Sequence, residues 1–167
     1  MHGRLIRRVA LGILILGVCV VLTDVLGFTW DIRARVRLRE AERIADQLPV
    51  IPDAVLLQSK ESEVRSNIGK CGVVEVDKLY GASALSLQDI LDEFTSAIGG
   101  GEWTMDYATD RFRSFRAADE TIVTISGNYE DPDFDKAVIM EGQHKYPTLF
   151  HILINRMVYP NARKECG

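Results

Sequence analysis

The sequence predicts an α+β protein in which an N-terminal transmembrane helix continues into an amphipathic helix, followed by a small antiparallel sheet with one packed helix. Three observations lead to this class. One long run is apolar, the next stretch repeats apolar side chains at helical spacing, and the remainder alternates strand-like segments with one capped helix. The predicted divisions are a basic flank at 1–8, a transmembrane helix at 9–28, an amphipathic connecting helix at 29–48 and an extracytoplasmic α+β domain at 49–167.

Composition and charge narrow the classes of partner. A chain of 167 residues that is 47% apolar and 26% charged has enough residues for about one ordinary domain. Residues 1–43 hold eight Arg against four acidic side chains, whereas the remainder holds 12 basic and 20 acidic side chains. An acidic domain does not attract a phosphate backbone, so we expect no nucleic-acid partner. The basic segment flanks an apolar run and fits anionic lipid headgroups.

The apolar run Val9–Phe28 contains only Thr23 and Asp24 as clearly polar residues. As a helix, 20 residues would cover about 30 Å, the thickness of a bilayer's hydrocarbon core. A cleaved signal peptide is the alternative, but its apolar stretch is usually only about 7 to 15 residues and ends in a small-residue cleavage site. A lipoprotein would use Cys19, yet Val18 stands where a small residue is expected.

Two signals about orientation disagree. The short N-terminal flank carries three Arg and residues 29–43 carry five, so the positive-inside rule would put the larger part in the cytoplasm. Cys71 and Cys166 favour the opposite orientation, because such a pair is most simply a disulfide formed in an oxidising compartment. Two unrelated thiols are the alternative. We predict a Cys71–Cys166 disulfide and a single-pass protein of the inner (plasma) membrane, with a cytoplasmic N-terminus and an extracytoplasmic domain.

The connecting helix carries an apolar stripe with spacings of four, three, four and three residues. Residues 33–39 also alternate with period two, but the flanking residues are good helix formers and favour a helix. Two heptads are too short for a free coiled coil, so the stripe must pack against its own domain or another chain. Asp24 would be costly facing lipid, and Trp30 lies where aromatic belts form. The predicted partner-binding residues are Asp24, Trp30, Ala34, Leu38, Ala41, Ala45 and Leu48.

The folded domain is predicted to follow Pro49 and Pro52, because the residue before a proline is disfavoured in a helix. Ala54–Gln58 and Val73–Tyr80 are rich in strand formers. A helix then begins at a capping box and continues with apolar residues at helical spacing until Gly99. The capping box is Ser86-Leu-Gln-Asp89.

The second half of the domain is predicted to be mainly β. Arg111–Ala117 and Thr121–Tyr129 flank a short polar connection and predict a hairpin. An acidic turn precedes a short apolar run, Ala137–Met140, and Leu149–Tyr159 is predicted as a last strand because it is β-branched and aromatic. A helix over the last segment is the alternative.

A set of small and aromatic residues surrounds the capped helix: Tyr80, Gly81, Ser83, Ser86, Gly101 and Trp103. This pattern resembles small membrane-anchored extracytoplasmic domains of unknown role in some bacteria. The resemblance covers residues 49–130, and Glu102 departs from it by separating the glycine from the tryptophan. It implies a fold and a location, and no activity.

Candidate ligand patterns in the sequence are incomplete. Residues 99–101 are glycines that follow a helix and lack the Lys-Ser/Thr ending of a phosphate loop. Asp131, Asp133 and Asp135 have the spacing of a calcium loop, but Lys136 stands at the required glycine. These patterns indicate a helix stop and a solvated acidic turn.

Candidate catalytic residues do not form a set either. Glu141 and His144 are spaced as metal ligands on a helix, but Gly142 and Pro147 argue against a helix there. His151 has no nucleophile or carboxylate near it in sequence. There is no Cys-x-x-Cys-His sequence and there are too few cysteines for an iron–sulfur cluster. We therefore predict no metal, no cofactor and no enzymatic activity.

These features together predict a non-catalytic single-span accessory subunit that binds multi-span membrane proteins. In general layout the chain resembles small single-span subunits of bacterial respiratory or photosynthetic electron-transfer complexes, including alternative complex III. The alternative is a freestanding membrane-anchored envelope sensor or ligand-binding module. A small-molecule ligand is not expected on the first hypothesis, and an apolar groove in the isolated domain would favour the second.

Overall fold

The structure is a computed structural model that describes residues 12–13, 15–21, 28–65, 72–99, 101–127 and 134–158. The described part is an α+β fold with a six-stranded sheet. Its long helices are α1 (Phe28–Gln47), α2 (Leu87–Ile98) and α3 (Lys136–Lys145). Its strands are β1 (Ala54–Arg65), β2 (Gly72–Ala82), β3 (Trp103–Ala108), β4 (Phe112–Ala117), β5 (Ile122–Ser126) and β6 (Thr148–Met157).

The predicted transmembrane helix at 9–28 is corrected by the structure. Among the described residues, none of the helices combines the length and the apolar character needed to cross a bilayer. Helix α1 is 20 residues long but begins where the apolar run ends and is rich in Arg and Glu. Hydropathy identifies an apolar run, but it does not define where a helix begins and ends. The predicted location, as a single-pass protein of the inner membrane, was inferred from that span. It is therefore wrong as well.

The strands form one antiparallel sheet in the order β1-β2-β6-β5-β4-β3. The last strand, β6, therefore lies in the middle, between β2 and β5. The predicted last strand over 149–159 and the predicted hairpin β4–β5 are confirmed. Strand β3 was not predicted, although Trp103, Met105 and Tyr107 alternate with polar residues; in the structure its side chains are mostly exposed.

One face of the sheet is covered by α2 and by the part of α1 that belongs to the larger compact unit, residues 37–167. Alternate residues of β2 and β6, such as Val76, Phe150 and Ile154, face these helices and are buried. The predicted single packed helix is thus corrected to two on this face, because the second half of α1 is part of the domain core.

Helix α2 begins at the predicted capping box. The backbone N–H of Asp89 donates to the Ser86 hydroxyl oxygen at 3.2 Å, and the Ser86 N–H donates to the Asp89 carboxylate at 3.2 Å. The Ser86 hydroxyl also donates to the Asp89 carboxylate at 2.6 Å, and this hydrogen bond, with the one from the Ser86 N–H, holds the pKa of Asp89 below its ordinary value. The helix ends at Gly99, as the sequence predicts.

The opposite face of the sheet carries α3, where the sequence was expected not to form a helix. Gly142 is buried in this helix, and a Cβ built there would lie 2.9 Å from Leu57 Cδ1 and 3.2 Å from Leu149 Cδ2. The glycine thus permits the close approach of α3 to the sheet, which offsets its low helix propensity. The expectation that Gly142 would prevent a helix is wrong for this reason.

Polar contacts fasten α1 to the strand end of the domain. The Arg156 guanidinium lies 3.1 Å from the Glu40 carboxylate, outside hydrogen-bonding geometry, and 2.9 Å from the Asp119 carboxylate. Burial acts to raise the pKa of Asp119, but hydrogen bonds from Thr121 and the charge of Arg156 lower it by more, so the net pKa lies below the ordinary value. Asp119 therefore favours its ionised form beside Arg156.

A pair of carboxyl groups opposes the attachment of α1 to the sheet. Glu61 on β1 is hydrogen-bonded to Glu42 on α1, and this bond, burial and the Glu42 charge raise the pKa of Glu61. A raised folded-state pKa stabilises the fold fully below the ordinary pKa of a glutamate, and that stabilisation is lost as the pH rises through the raised value. The pair is therefore favourable in acid and repulsive near neutral pH.

We expect Glu61→Gln to raise the free energy of unfolding near neutral pH by about 0.2–1 kcal/mol, the range of exposed charge pairs. The gain should disappear in acid, where the Glu61 carboxyl is protonated. Urea unfolding of the full chain at both pH values measures it. Glu63→Gln, two residues along the same strand, is the matched control, and equal effects of both variants at both pH values would contradict the assignment.

Candidate functional site

Part of the predicted partner-binding stripe packs within the larger compact unit itself. Four of its residues pack in or against the hydrophobic core of the larger unit: Leu38, Ala41, Ala45 and Leu48. Ala34 is buried as well. Asp24 and the side chain of Trp30 lie outside the described residues. The sequence left two surfaces against which the stripe could pack, its own domain or another chain. For these four side chains the structure shows its own domain.

The predicted Cys71–Cys166 disulfide falls on two residues outside the described ranges. Cys19 is the described cysteine, and it is free and exposed. The described part of the chain therefore contains no disulfide, and the disulfide-based argument for an oxidising compartment has no support there.

The acidic and histidine patterns do not form a metal site in the described part of the chain. Asp131 and Asp133 lie outside it, and Asp135 is the N-cap of α3, where its carboxylate accepts the Ala137 N–H at 2.9 Å. Searching the described residues for three or more His, Cys, Asp or Glu side chains close enough to share a metal finds none. The Glu141–His144 spacing does occur on a helix, but without a third ligand among these residues.

A buried polar pair lies on the sheet face that carries α3. The imidazole Nδ1 of His151 on β6 lies 2.9 Å from the Asp77 carboxylate on β2, and the edge of the Phe134 ring packs against it. The side chains of His151 and Asp77 are 7% and 9% exposed. The carboxylate was missed in the sequence because 74 residues separate it from the histidine.

An aspartate that orients an imidazole is half of a nucleophilic catalytic triad. Ser126 on β5 lies opposite His151 in the strand register. Neither His151 nor Asp77 lines either of the two cavities described next. The pair is buried and lies away from both cavities, and the Asp77 carboxylate provides the partner of the imidazole Nδ1.

The candidate binding site is a cavity of about 210 Å³ beneath the C-terminal end of α1. It lies within the larger compact unit. Three kinds of element build it: the last turn of α1, the loop that follows it, and the inward-facing residues of β2 and β6. Its apolar lining is formed by Ala45, Leu48, Pro49, Val50, Ile51, Ala54, Phe150, Ile152 and Ile154. Val50 is 90% exposed, so the apolar surface continues past the entrance.

Three polar side chains meet at this cavity: Lys78, Tyr80 and Asp46. Lys78 Nζ donates to Asp46 Oδ1 at 2.9 Å, with the lysine side chain 15% and the aspartate side chain 73% exposed. The Tyr80 ring stacks on Phe150 at 5.3 Å between centroids. Burial raises the pKa of Tyr80, with Lys78 lowering it and Asp46 raising it, so the phenol remains a proton donor near neutral pH.

A second cavity of about 620 Å³ lies on the other side of Leu48, between α1 and the β4–β5 turn. It is more open than the first, and Glu102, Asp119 and Gln47 contribute to its wall beside Trp103. Most of its lining residues are apolar, but its openness to solvent makes it a surface depression. The smaller cavity is the better enclosed of the two.

Comparison of the chain with protein-family models, curated proteins and solved structures finds no match. The electron-transfer and accessory-subunit interpretation therefore receives no support from relatives. Of the observations that led to it, no helix among the described residues could span a bilayer, and four residues of the stripe pack in or against the core of the larger unit.

A sequence signal for the cavity does exist on β2. The residues of this strand that share one face are Val74, Val76, Lys78, Tyr80 and Ala82. A lysine in the middle of an apolar, inward-facing series is rarely buried without a partner. Lys78 therefore marks the polar end of the cavity. It was not identified from the sequence, because β2 was interpreted only as a strand.

Proposed function

We propose that the domain is a non-catalytic binding module that holds a small, mainly apolar ligand beneath the end of α1. The observation that carries the proposal is the 210 Å³ cavity, with its apolar walls and three polar groups at one side. Binding sites commonly have this composition, in which apolar lining supplies affinity and a few polar groups set orientation. The volume is at the small end for such sites, which favours a ligand of a single ring or short chain.

The packing of the stripe after Arg37 and the exposure of Val50 support a ligand site at this end of α1. Leu38 and Leu48 are packed against the core, so they are not available for an intermolecular seam. Val50, at the cavity entrance, is instead highly exposed. Exposed apolar side chains beside a cavity are expected where a ligand covers them.

The composition of the cavity supports binding without catalysis. Its described lining includes no Ser, Thr, Cys or His, so no hydroxyl or thiol nucleophile is paired with an imidazole there. The His151–Asp77 pair lies on the opposite face of the sheet. The residues at the cavity can bind and orient a ligand.

We expect the full chain to bind benzyl alcohol saturably, with backbone amide NMR shifts centred on Ala45 and Ile152. Ala54→Leu, which fills the cavity, should remove these shifts. Ala97→Leu makes the same change on the exposed side of α2 and should leave them unchanged. Shifts that persist in Ala54→Leu, or an absence of saturable binding with the fold intact, would overturn the proposal.

A further inference from the structure

Lys78 is placed where an ammonium group is costly without an anion beside it. Its side chain is 15% exposed and lies on the inward face of β2, next to apolar cavity walls. A charge removed from water requires a paired group of opposite sign. Asp46 fills that role in the structure, but its own side chain is 73% exposed and stands at the last turn of α1. The anion beside Lys78 is thus the part of the pair that is free to return to water.

Two hydrogen-bond donors converge at this end of the cavity. Lys78 and Tyr80 are alternate residues on the inward face of β2, and both line the cavity beside Asp46. The phenol stays protonated near neutral pH and can donate. A carboxylate has two oxygens and can accept from an ammonium and a phenol at once. Phosphate monoesters carry more charge than one partly buried lysine compensates.

The other walls limit the rest of the ligand. An apolar cavity of about 150 Å³ holds benzene, so about 210 Å³ holds one ring with a short substituent. Ile152, Ile154 and the stacked Tyr80–Phe150 pair offer that ring only apolar contacts. A second charge on the ligand would be desolvated there without a partner. A cationic ligand would have to approach the nearly buried ammonium of Lys78.

We propose that this cavity selects small monocarboxylates with an apolar body, and that the ligand's carboxylate replaces Asp46 on Lys78 while its body packs against Ile152, Ile154 and Phe150. The proposal rests on the proposed binding function and names its ligand class. Asp46 occupies the carboxylate position while the ligand is absent, so it competes with the ligand.

The test compares phenylacetate with phenylacetamide, its neutral counterpart of nearly equal size, by calorimetric titration of the full chain at low salt. We expect phenylacetate to bind about tenfold more tightly, the effect of one charge-assisted hydrogen bond. Lys78→Met should remove the difference and leave phenylacetamide binding unchanged. Lys136→Met, an exposed lysine on α3, is the matched control and should change neither affinity.

Asp46→Asn separates competition from simple structural support. Removing the competing carboxylate should tighten phenylacetate binding several-fold and leave phenylacetamide binding as it was. If Asp46 only holds the cavity in shape, both affinities should fall together, which would overturn the proposal. Equal affinities for the two probes with Lys78→Met silent would also overturn it while the binding function stands. No binding of either probe or of benzyl alcohol would overturn the binding function itself.

Discussion

Phe94→Ala is expected to lower the free energy of unfolding by about 3–5 kcal/mol, the usual cost of deleting a buried aromatic ring. Phe94 is fully buried on α2, and its ring lies 5.8 Å from that of Phe115 on β4. It is a member of the core cluster that α2 shares with the sheet. Removing it leaves a cavity that strands fixed by their hydrogen bonds can only partly fill. Urea unfolding followed by circular dichroism measures the loss.

The control for this substitution is the neighbouring Glu93→Ala, which lies on the exposed side of the same helix. It should change the unfolding free energy by less than about 0.5 kcal/mol. A loss below about 1 kcal/mol for Phe94→Ala would show that α2 does not pack on the sheet as described.

Breaking the Asp77–His151 pair is the second substitution with a large expected effect. Asp77→Val leaves the His151 imidazole buried without its partner, and His151→Leu leaves a buried carboxylate in the same position. Each is expected to cost about 2–4 kcal/mol, because an unpaired buried polar group loses its hydration without compensation. Unfolding of both variants in urea gives the two values.

The double variant Asp77→Val/His151→Leu tests whether the two losses have one origin. Replacing both partners by apolar groups should cost clearly less than the sum of the single changes, since no buried group is then left unsatisfied. Additive losses would contradict a direct interaction. Ser62→Ala, which alters a polar contact at a less buried position on β1, is expected to have only a small effect.

Local signals predicted local structure well in this chain. The Ser86–Asp89 capping box and the glycine at position 99 define α2 within the sequence of the helix itself, and the structure confirms both ends. The β4–β5 hairpin was also predicted from signals that lie close together in the sequence. Gly142 led to the wrong prediction that no helix forms there. The glycine lets α3 approach β1 and β6 closely, and these strands lie far from it in sequence.

The candidate site could not be assembled from the sequence because its parts meet only after folding. Asp46 and Lys78 are 32 residues apart, and Phe150 reaches the cavity through the pairing of β6 with β2. Neither the register nor the docking of α1 is encoded by spacing. Similarly, the stripe containing Leu38 and Leu48 predicts a buried helix face without specifying what buries it. The structure identifies the domain's own core as that surface for these side chains.

The central place of β6 has a consequence for how the protein is made. During synthesis, β1 can pair with β2, β3 with β4, and β4 with β5, before residues 148–157 have left the ribosome. Until then the free edges of β2 and β5 present unpaired N–H and C=O groups that other chains could bind. Only β6 joins the two halves, so until it pairs the nascent chain carries the open edges of β2 and β5 in addition to those of the outer strands β1 and β3. The most aggregation-prone interval in the life of this molecule is therefore expected to precede the emergence of β6.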